Sequence, residues 1–463
     1  MSAAPSNSTP APSNAMSVAE TRKLVDWAVR LKYSDIPPAT VEKTKRLFAD
    51  WVFCAFAGAG YRTIDGLKAV ADETGGAASG ACSTFVGDKR PPYWAAYINA
   101  GAGHVVEQDD LHNASVVHPA TVVFPAAWAA AQSRGASGAD FIAASVVGYE
   151  VACRVGRLLG REHYRIFHST ATAGTLGAAA ATARILGLDA DKTLDALGSA
   201  GTQAAGLWQF LATAADSKQV HCAHAAGTGV QSAFLAKHGV TGAHDILLGP
   251  QGMFAGMSKG TPDASVLPFD DKYEVDATSF KFHASCRHTH PSADALLDII
   301  SENDLAPTDI ARVECGVHQS ALDVLGPAEG AASVHQSKFS MGFVLGAIAN
   351  GRSAQLADFS DARLKDQAVR DFQKKVHMYL DPKVDGAYPA KWTAQVKVTT
   401  TDGRTFEKFM ETPKGDPGNT LSDDELLAKW HKLIGYAGSS VDVDTLAKEL
   451  LALEKRESMD GLI

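Results

Sequence analysis

The segment from His104 to Pro119 concentrates ionisable side chains in a chain that is otherwise rich in Ala and Gly. It reads HVVEQDDLHNASVVHP and contains three histidines, one glutamate and two aspartates. Its residues His112, Asn113 and Ser115 disfavour a helix and predict a loop. A metal site, an acid/base site and a plain polar connection are all compatible with this composition. Because the segment lacks two histidines at helical i, i+4 spacing, we predict no metal there.

Two further segments carry cationic side chains. In REHYRIFHSTATAGTLG, His168 precedes small residues that allow a ligand or another helix to approach closely. Lys218 begins an Ala-rich helix, where it is either a solvated charge or an anion-binding group. The segment KFHASCRHTHPSADA adds four candidates, Lys281, Cys286, Arg287 and His290. This cluster suits a polycarboxylate better than zinc, since it lacks a second pair of ligands at metal-binding spacing.

Composition limits the class of partner. The chain has 463 residues and a formal net charge of −9, which argues against nucleic acid and against an anionic membrane surface. An anionic substrate must therefore be bound by local lysines, arginines and histidines. Six dispersed cysteines without a CxxC pair predict a reducing compartment. With no secretory signal and no apolar run of membrane-spanning length, we expect a cytoplasmic protein.

Apolar periodicity predicts helices from residue 18 to about 265. Apolar spacings of three and four in VEKTKRLFADWVFCAFAG predict a helix that starts after Pro37 and stops at Gly58. A second, almost wholly apolar helix is expected from the N-cap Ser137 to Gly160. Neighbouring segments rich in Ala and Gly predict densely packed interior helices.

The pattern changes at about residue 266. Residues 309–319 alternate like a strand, and residues 393–411 form a hairpin pattern with Asp402 and Gly403 at the turn. Helices are predicted at 338–351 and 361–376, and again after Ser422. The fold class is therefore mainly α with an inserted α+β domain. We predict a disordered tail (1–17), a large helical domain (18–265), a smaller α+β lid domain (266–412) and C-terminal helices (413–463) that rejoin the helical domain.

Six motifs in order along residues 20–410 resemble the MmgE/PrpD family. They are HVVEQDDLHNASVVHPATVVFPAAWAAAQ, GYEVACRVGR, FHSTATAGTLGAAAATARILGL, SKQVHCAHAAGTGVQSAFLA, SFKFHASCRHTHPSADA and FSMGFVLGAIANG. That family includes 2-methylcitrate dehydratase, cis-aconitate decarboxylase and iminodisuccinate epimerase. The resemblance implies a helical domain with an α+β lid, a homodimer, and catalysis without a metal or an organic cofactor.

The resemblance also implies positions for the active site. It places them at Glu107, His112, His118, His168, Lys218, Lys281 and Cys286. In the family's decarboxylase branch an aspartate stands at the position of Glu107, a histidine at that of Cys286 and a tyrosine at that of Phe343. The epimerase branch has a different loop after its acidic pair. These departures rank decarboxylation third among the family's reactions for this chain.

We predict a hydro-lyase that acts on a small di- or tricarboxylate, such as a 2-methylcitrate-like hydroxy acid. Removing a proton next to a carboxylate requires a base and cations that stabilise the enolate. The candidate catalytic residues are His112, His118, Glu107, Asp110, Lys218 and His168, with His118 or His112 as the base. The candidate substrate-binding residues are Lys281, Cys286, Arg287 and His290. Epimerisation is the runner-up, and a non-catalytic carboxylate-binding protein is the alternative outside the enzymes.

Overall fold

The computed structural model describes residues 13–76, 80–213 and 215–463. The first part of the described chain is helical, apart from short strands at β1 (Cys82–Ser83), β2 (Lys89–Arg90) and β3 (Leu111–His112). Its helices are α1 (Ser13–Arg30), α2 (Pro38–Gly58), α3 (Arg62–Glu73), α4 (Pro92–Val105), α5 (Ala120–Arg134), α6 (Gly138–Tyr164), α7 (Ser169–Ile185), α8 (Ala190–Gly201), α9 (Ser217–Lys237) and α10 (Met253–Met257).

The second part mixes helices with a small sheet. Its strands are β4 (Thr278–Ser279), β5 (Ile310–Val317), β6 (Val376–Leu380), β7 (Ala394–Thr400) and β8 (Thr405–Met410). Its helices are α11 (His290–Glu302), α12 (Gln319–Leu325), α13 (Val334–Ser337), α14 (Met341–Gly351), α15 (Asp361–Leu364), α16 (Gln367–Gln373), α17 (Pro382–Ala387), α18 (Asp423–Ala437) and α19 (Val443–Leu451). The predicted fold class, mainly α with a smaller α+β unit, is confirmed.

The sheet has the order β6-β5-β7-β8. Strands β5, β7 and β8 pair antiparallel, and the turn of the β7–β8 hairpin contains Gly403 in the left-handed region, as the sequence predicts. Strand β6 pairs parallel with β5. The sequence analysis assigned residues 361–376 to one helix, which is wrong. That segment contains α15 and α16, because Asp366 accepts a bond from Ala368 N and starts a new helix there.

Helix ends in the first part follow the local sequence. Pro38 occupies the first turn of α2, where its missing N–H costs nothing. Ser137 caps α6 by accepting a hydrogen bond from the backbone N–H of Asp140. The backbone of α6 leaves helical geometry at Gly160, where φ is 69°. Residues 1–12 of the predicted tail lie outside the described residues, and α1 already begins at Ser13.

The Ala- and Gly-rich helices pack at short range around α7. Helix α7 contacts both α6 and α9, and a Cβ atom added at Gly177 would lie 2.6 Å from Ala152 Cβ and 2.7 Å from Gly148 O. Helices α18 and α19, from the end of the chain, pack against α2. No helix in the described ranges combines the length and the apolarity that a membrane span needs.

The close approach of α6 and α7 gives a stability prediction. Replacing Gly177 by Ala should destabilise the protein by about 1–3 kcal/mol in urea unfolding, because the new methyl group overpacks a helix interface. The matched control is Gly435→Ala in α18, where an added Cβ meets nothing within 4 Å. That control should be stabilising by about 0.5–1 kcal/mol through helix propensity. Equal stability of the two variants would contradict close packing at Gly177.

Candidate active site

The loop between α4 and α5 is held in an unusual backbone conformation. Glu107 and Val116 both have positive φ, 58° and 53°, a region that non-glycine residues rarely occupy. Strand β3 fixes the middle of the loop by pairing with β4 in the second part of the chain. Such strain persists only where surrounding contacts impose it, and it concentrates at functional sites. The side chain of Glu107 makes ionic contacts with two lysines.

Glu107 is the carboxylate at the centre of the site. Its Oε1 accepts a short hydrogen bond from Lys218 Nζ, and its Oε2 lies 3.3 Å from Lys281 Nζ. All three side chains are buried, with at most 2% of each residue exposed. Burial alone favours the protonated acid, but Lys218 and Lys281 hold the pKa of Glu107 well below its usual range. The carboxylate is therefore ionised, and both lysines of the sequence prediction are brought together on it.

A third buried lysine reaches the same place from the end of α13. Lys338 is 2% exposed, and its Nζ donates to the carbonyl oxygen of Val106 at 3.0 Å, directly before Glu107. Burial lowers the pKa of Lys338 to about 7. Lys338 is not among the residues predicted from sequence, because a lysine at the start of a predicted helix resembles any solvated helix-end charge. One feature of the sequence could have pointed to Lys338. The residue directly precedes FSMGFVLGAIANG, a motif that was interpreted only as a helix.

A row of histidine rings lies beside this ion cluster. The ring centroids of His118 and His168 lie 5.0 Å and 5.8 Å from that of His104, and His221 lies 5.7 Å beyond His168. Asp109 Oδ2 is 2.7 Å from His104 Nδ1 and 3.6 Å from His118 Nδ1. The row joins the loop after α4 to the N-termini of α7 and α9. A surface cleft of about 850 Å³ is lined in part by His221.

The two histidines of the row that were predicted from sequence are neutral bases. Burial lowers the pKa of His118 to about 3 and that of His168 well below its usual value. The Nδ1 of His118 bonds to the carbonyl of Asp110 at 2.5 Å, which leaves its Nε2 without a partner among the described residues. Within the described part of the chain, neither ring nitrogen of His168 has a hydrogen-bond partner, although the residue is 1% exposed. Buried polar atoms rarely stay unpaired, so these nitrogens indicate where a ligand or water binds.

Two predicted catalytic residues instead have partners within the protein. His112 Nε2 lies 2.8 Å from Glu274 Oε2, and its Nδ1 lies 2.8 Å from the hydroxyl of Ser115. Asp110 accepts hydrogen bonds from the Tyr149 hydroxyl at 2.7 Å and from the backbone of Ala120. Both ring nitrogens of His112 and both carboxyl oxygens of Asp110 are therefore occupied. These contacts fix the loop, and the acid/base role of His112 and Asp110 stays a prediction.

Two predicted substrate-binding residues, Arg287 and His290, also have hydrogen-bond partners within the protein. Arg287 Nη2 donates a short hydrogen bond to Asp416, which also accepts from Ser279 and Asn113. Arg287 Nη1 donates to His290 Nδ1 at 3.0 Å. These bonds join the loop at Asn113 to the second part of the chain. Arg287 and His290 therefore support the structure here, and their role in substrate binding stays a prediction.

Cys286 lies at the edge of the ion cluster and keeps its proton. It is 8% exposed, and its backbone N–H donates to Lys338 O at 2.8 Å. Burial raises the pKa of the Cys286 thiol to about 11, although Lys218 opposes the shift. The thiol is therefore protonated and neutral at physiological pH, and a thiol is a weaker nucleophile than a thiolate. Phe343, by contrast, packs against Phe359 with ring centroids 5.9 Å apart.

One group of side chains has the proximity that a metal site needs. Ligand atoms of His104, Asp109 and His118 lie within 4.8 Å of one another. However, His104 Nδ1 is already bonded to Asp109, and Lys281 is near enough to act electrostatically on both Asp109 and His118. A neighbouring ammonium repels a divalent cation. The residues fit an anion beside the histidines better than a metal between them.

The family models match almost the whole chain. Residues 22–265 match the MmgE/PrpD N-terminal domain, and residues 283–455 match the MmgE/PrpD C-terminal domain. The chain belongs to the MmgE/PrpD family. Its Glu107 cluster thus forms where side chains from the two family domains meet, since Lys338 comes from the C-terminal one and Lys218 from the N-terminal one.

Curated relatives of this MmgE/PrpD protein carry names of decarboxylases. The cis-aconitate decarboxylase-like protein oryM of Aspergillus oryzae is 30% identical, over 96% of both chains. Cis-aconitate decarboxylase of Aspergillus terreus is 27% identical, over 96% of this chain and 95% of the relative. The human cis-aconitate decarboxylase is 28% identical, over 93% and 91% respectively. Similarity therefore extends over both domains in each case.

The pairing of Glu107 with Lys218 can be measured by a double-mutant cycle. Glu107→Gln should destabilise the protein because it leaves Lys218 and Lys281 without their shared counter-ion, and Lys218→Met because it removes the shorter of the two ion pairs of Glu107. The double variant should be more stable than the sum of the two losses predicts, with a coupling of about 3 kcal/mol in urea unfolding. The control cycle uses the solvent-exposed pair Lys374 and Asp371, which should show no coupling. Additive losses at Glu107 and Lys218 would contradict the buried pair.

The buried histidines give a pH prediction. Burial lowers the pKa of His118 to about 3 and those of His163 and His335 to about 4, so the folded protein binds fewer protons than the unfolded chain up to about pH 6.5. The free energy of unfolding should therefore fall as the pH decreases from about 6.5 toward 3. Four acids act in the opposite direction, because burial raises the pKa of Glu150 to about 8 and also raises the pKa values of Asp50, Asp110 and Asp276. They are outnumbered by eight histidines of the described chain whose pKa values are lowered. Urea unfolding at pH 7.5 and pH 5 checks this, and equal or higher stability at pH 5 contradicts it.

Proposed function

We propose that this protein is a lyase that decarboxylates a small unsaturated tricarboxylate resembling cis-aconitate. The observation that carries the proposal is the cluster of Lys218, Lys281 and Lys338 around the single carboxylate of Glu107. Cations concentrated in a buried site favour a substrate with several negative charges. The relatives named for cis-aconitate decarboxylation support this reaction ahead of the others. This order reverses the ranking from sequence, which placed decarboxylation third.

The reaction can be written with these residues. The bond between a substrate carbon and one carboxylate breaks, and its electron pair moves through the double bond toward a neighbouring carboxylate. CO₂ leaves, and the ammonium groups of Lys218 and Lys281 stabilise the enolate-like anion. One proton must then be delivered to carbon. The buried thiol of Cys286 supplies it, because its pKa of about 11 keeps it protonated, and solvent returns the proton afterwards.

Dehydration of a hydroxy acid is the second candidate, and the state of the histidines favours it. A dehydratase first removes a proton from carbon, which requires a base that is neutral before the reaction. His118 meets this condition, because burial lowers its pKa to about 3 and its Nε2 is free of protein partners within the described residues. The departing hydroxide would take the proton of Cys286. Epimerisation would use the same base without a leaving group.

Product analysis distinguishes these reactions. The purified protein is incubated in deuterated water with cis-aconitate, 2-methylcitrate, citrate or iminodisuccinate, and the products are identified by NMR. We expect cis-aconitate to lose CO₂ and to gain one deuterium on carbon, with activity that survives chelation of divalent metals. An unsaturated acid formed from 2-methylcitrate, with cis-aconitate unchanged, would replace decarboxylation by dehydration. Binding without any deuterium exchange would point to a carboxylate-binding protein.

Variants test whether the product comes from this site. Lys281→Met removes one cation from Glu107 and should lower kcat/KM by about tenfold to a hundredfold, the value of a charge-assisted hydrogen bond. Lys374→Met, on the exposed surface, is the matched control and should leave the rate unchanged. Wild-type kinetics in Lys281→Met would remove Lys281 from the site.

A further inference from the structure

The charge balance of the site leaves one buried lysine without a carboxylate. Lys218 and Lys281 share Glu107, and Asp109 lies against His104. In the described part of the chain, no carboxylate lies within ion-pairing distance of Lys338. Among the described residues, its Nζ has one hydrogen-bond acceptor, the backbone carbonyl of Val106. An ammonium group has three donors, so at least two of them lack an acceptor from the protein.

The groups around Lys338 explain why its ammonium group has no carboxylate partner. The groups that face it are Glu107 and Asp109 from the loop after α4, Lys218 from α9, Lys281 from the segment after β4, His335 from α13, and the ring of Tyr61, whose centroid is 5.8 Å from Nζ. The two carboxylates in this set already have partners, since Glu107 contacts two lysines and Asp109 contacts His104. Two of the remaining groups are ammonium ions, which oppose a third positive charge nearby.

We propose that Lys338 is the receptor for a substrate carboxylate, and that it takes up a proton from solvent when that carboxylate binds. The inference rests on the proposed function only in requiring a polycarboxylate ligand. A carboxylate next to Nζ supplies both the missing acceptor and the missing negative charge. An opposite charge at hydrogen-bond distance favours the protonated lysine. Binding of the anion and protonation of Lys338 are therefore linked.

The expected proton uptake depends on how far Lys338 is already protonated before the carboxylate binds. Burial lowers its pKa to about 7, so the amine is mostly neutral at pH 8 and mostly charged at pH 6. Binding that fully protonates it should take up about 0.9 proton at pH 8, about 0.5 at pH 7 and about 0.1 at pH 6. Uptake by His118 or His168 has the opposite trend, since their lowered pKa values place any uptake at lower pH.

Calorimetry with an inert ligand measures this linkage. Tricarballylate has three carboxylates but neither a double bond nor a hydroxyl group, so neither proposed reaction can consume it. Its binding enthalpy is measured at pH 6, 7 and 8, each in two buffers of different ionisation enthalpy, and the difference gives the protons taken up. We expect uptake that rises with pH. Uptake that is absent at pH 8, or that grows toward pH 6, overturns the proposal, and so does a failure of tricarballylate to bind.

Variants test whether Lys338 is the group that takes up the proton when the ligand binds. Lys338→Met should bind tricarballylate about tenfold to a hundredfold more weakly at pH 7 and should lose the uptake at pH 8. The matched control is Lys43→Met, because burial also lowers the pKa of Lys43, to about 8, at a separate position over the ring of Phe280. The control should keep both affinity and uptake. If Lys338→Met does not fold, Lys338→Gln and the pH series on the unmodified protein still decide the question.

The outcomes of these experiments distinguish the proposed role of Lys338 from the proposed lyase reaction. Proton uptake that depends on Lys338, together with no turnover of any of the four acids, supports the carboxylate receptor and removes the lyase assignment. Turnover of cis-aconitate, with tricarballylate binding that takes up no proton at pH 8, keeps the lyase and removes the role of Lys338. Unchanged uptake in Lys338→Met also removes it.

Discussion

The buried carboxylate of Glu107 is the interaction on which the arrangement of the site depends. One oxygen binds Lys218 from the helical part and the other faces Lys281 from the segment after β4. Removing Glu107 would leave two lysines without a counter-ion in a medium of low dielectric, which is strongly unfavourable. The two parts of the chain are therefore held together at the site by an ionic requirement as well as by apolar packing.

The same burial determines the protonation states of the neighbouring groups. His118 and His168 are neutral and Cys286 is a thiol, because the low dielectric disfavours every charge that lacks a partner. Only groups with a direct counter-ion remain charged. The site thus contains two neutral histidines and a neutral thiol near the charged cluster of Glu107, Lys218 and Lys281.

The fold could be predicted from sequence where local signals decide it. The Ser137 cap, the start of α2 at Pro38 and the turn at Gly403 are local, and the structure has all three. The site was predictable only in part, because a side chain's role depends on its partner. The sequence shows that His112 and Asp110 are ionisable, but not that Glu274 and Tyr149 occupy them from more than 30 residues away. Conversely, Lys338 looked like a solvated charge, since nothing local reveals that folding buries it beside Glu107.

The charge balance of the site connects substrate binding to the choice of reaction. With Glu107 and Asp109 already paired and Lys338 largely neutral, the free site holds little excess charge, so a polyanion must change the protonation of the site when it binds. A cation formed at Lys338 stabilises the substrate and also lowers the energy of an enolate-like anion nearby. That stabilisation is common to decarboxylation, dehydration and epimerisation. The reaction that follows therefore depends on where the substrate places its leaving group relative to His118 and Cys286, and the cationic cluster selects the class of substrate rather than the bond that breaks.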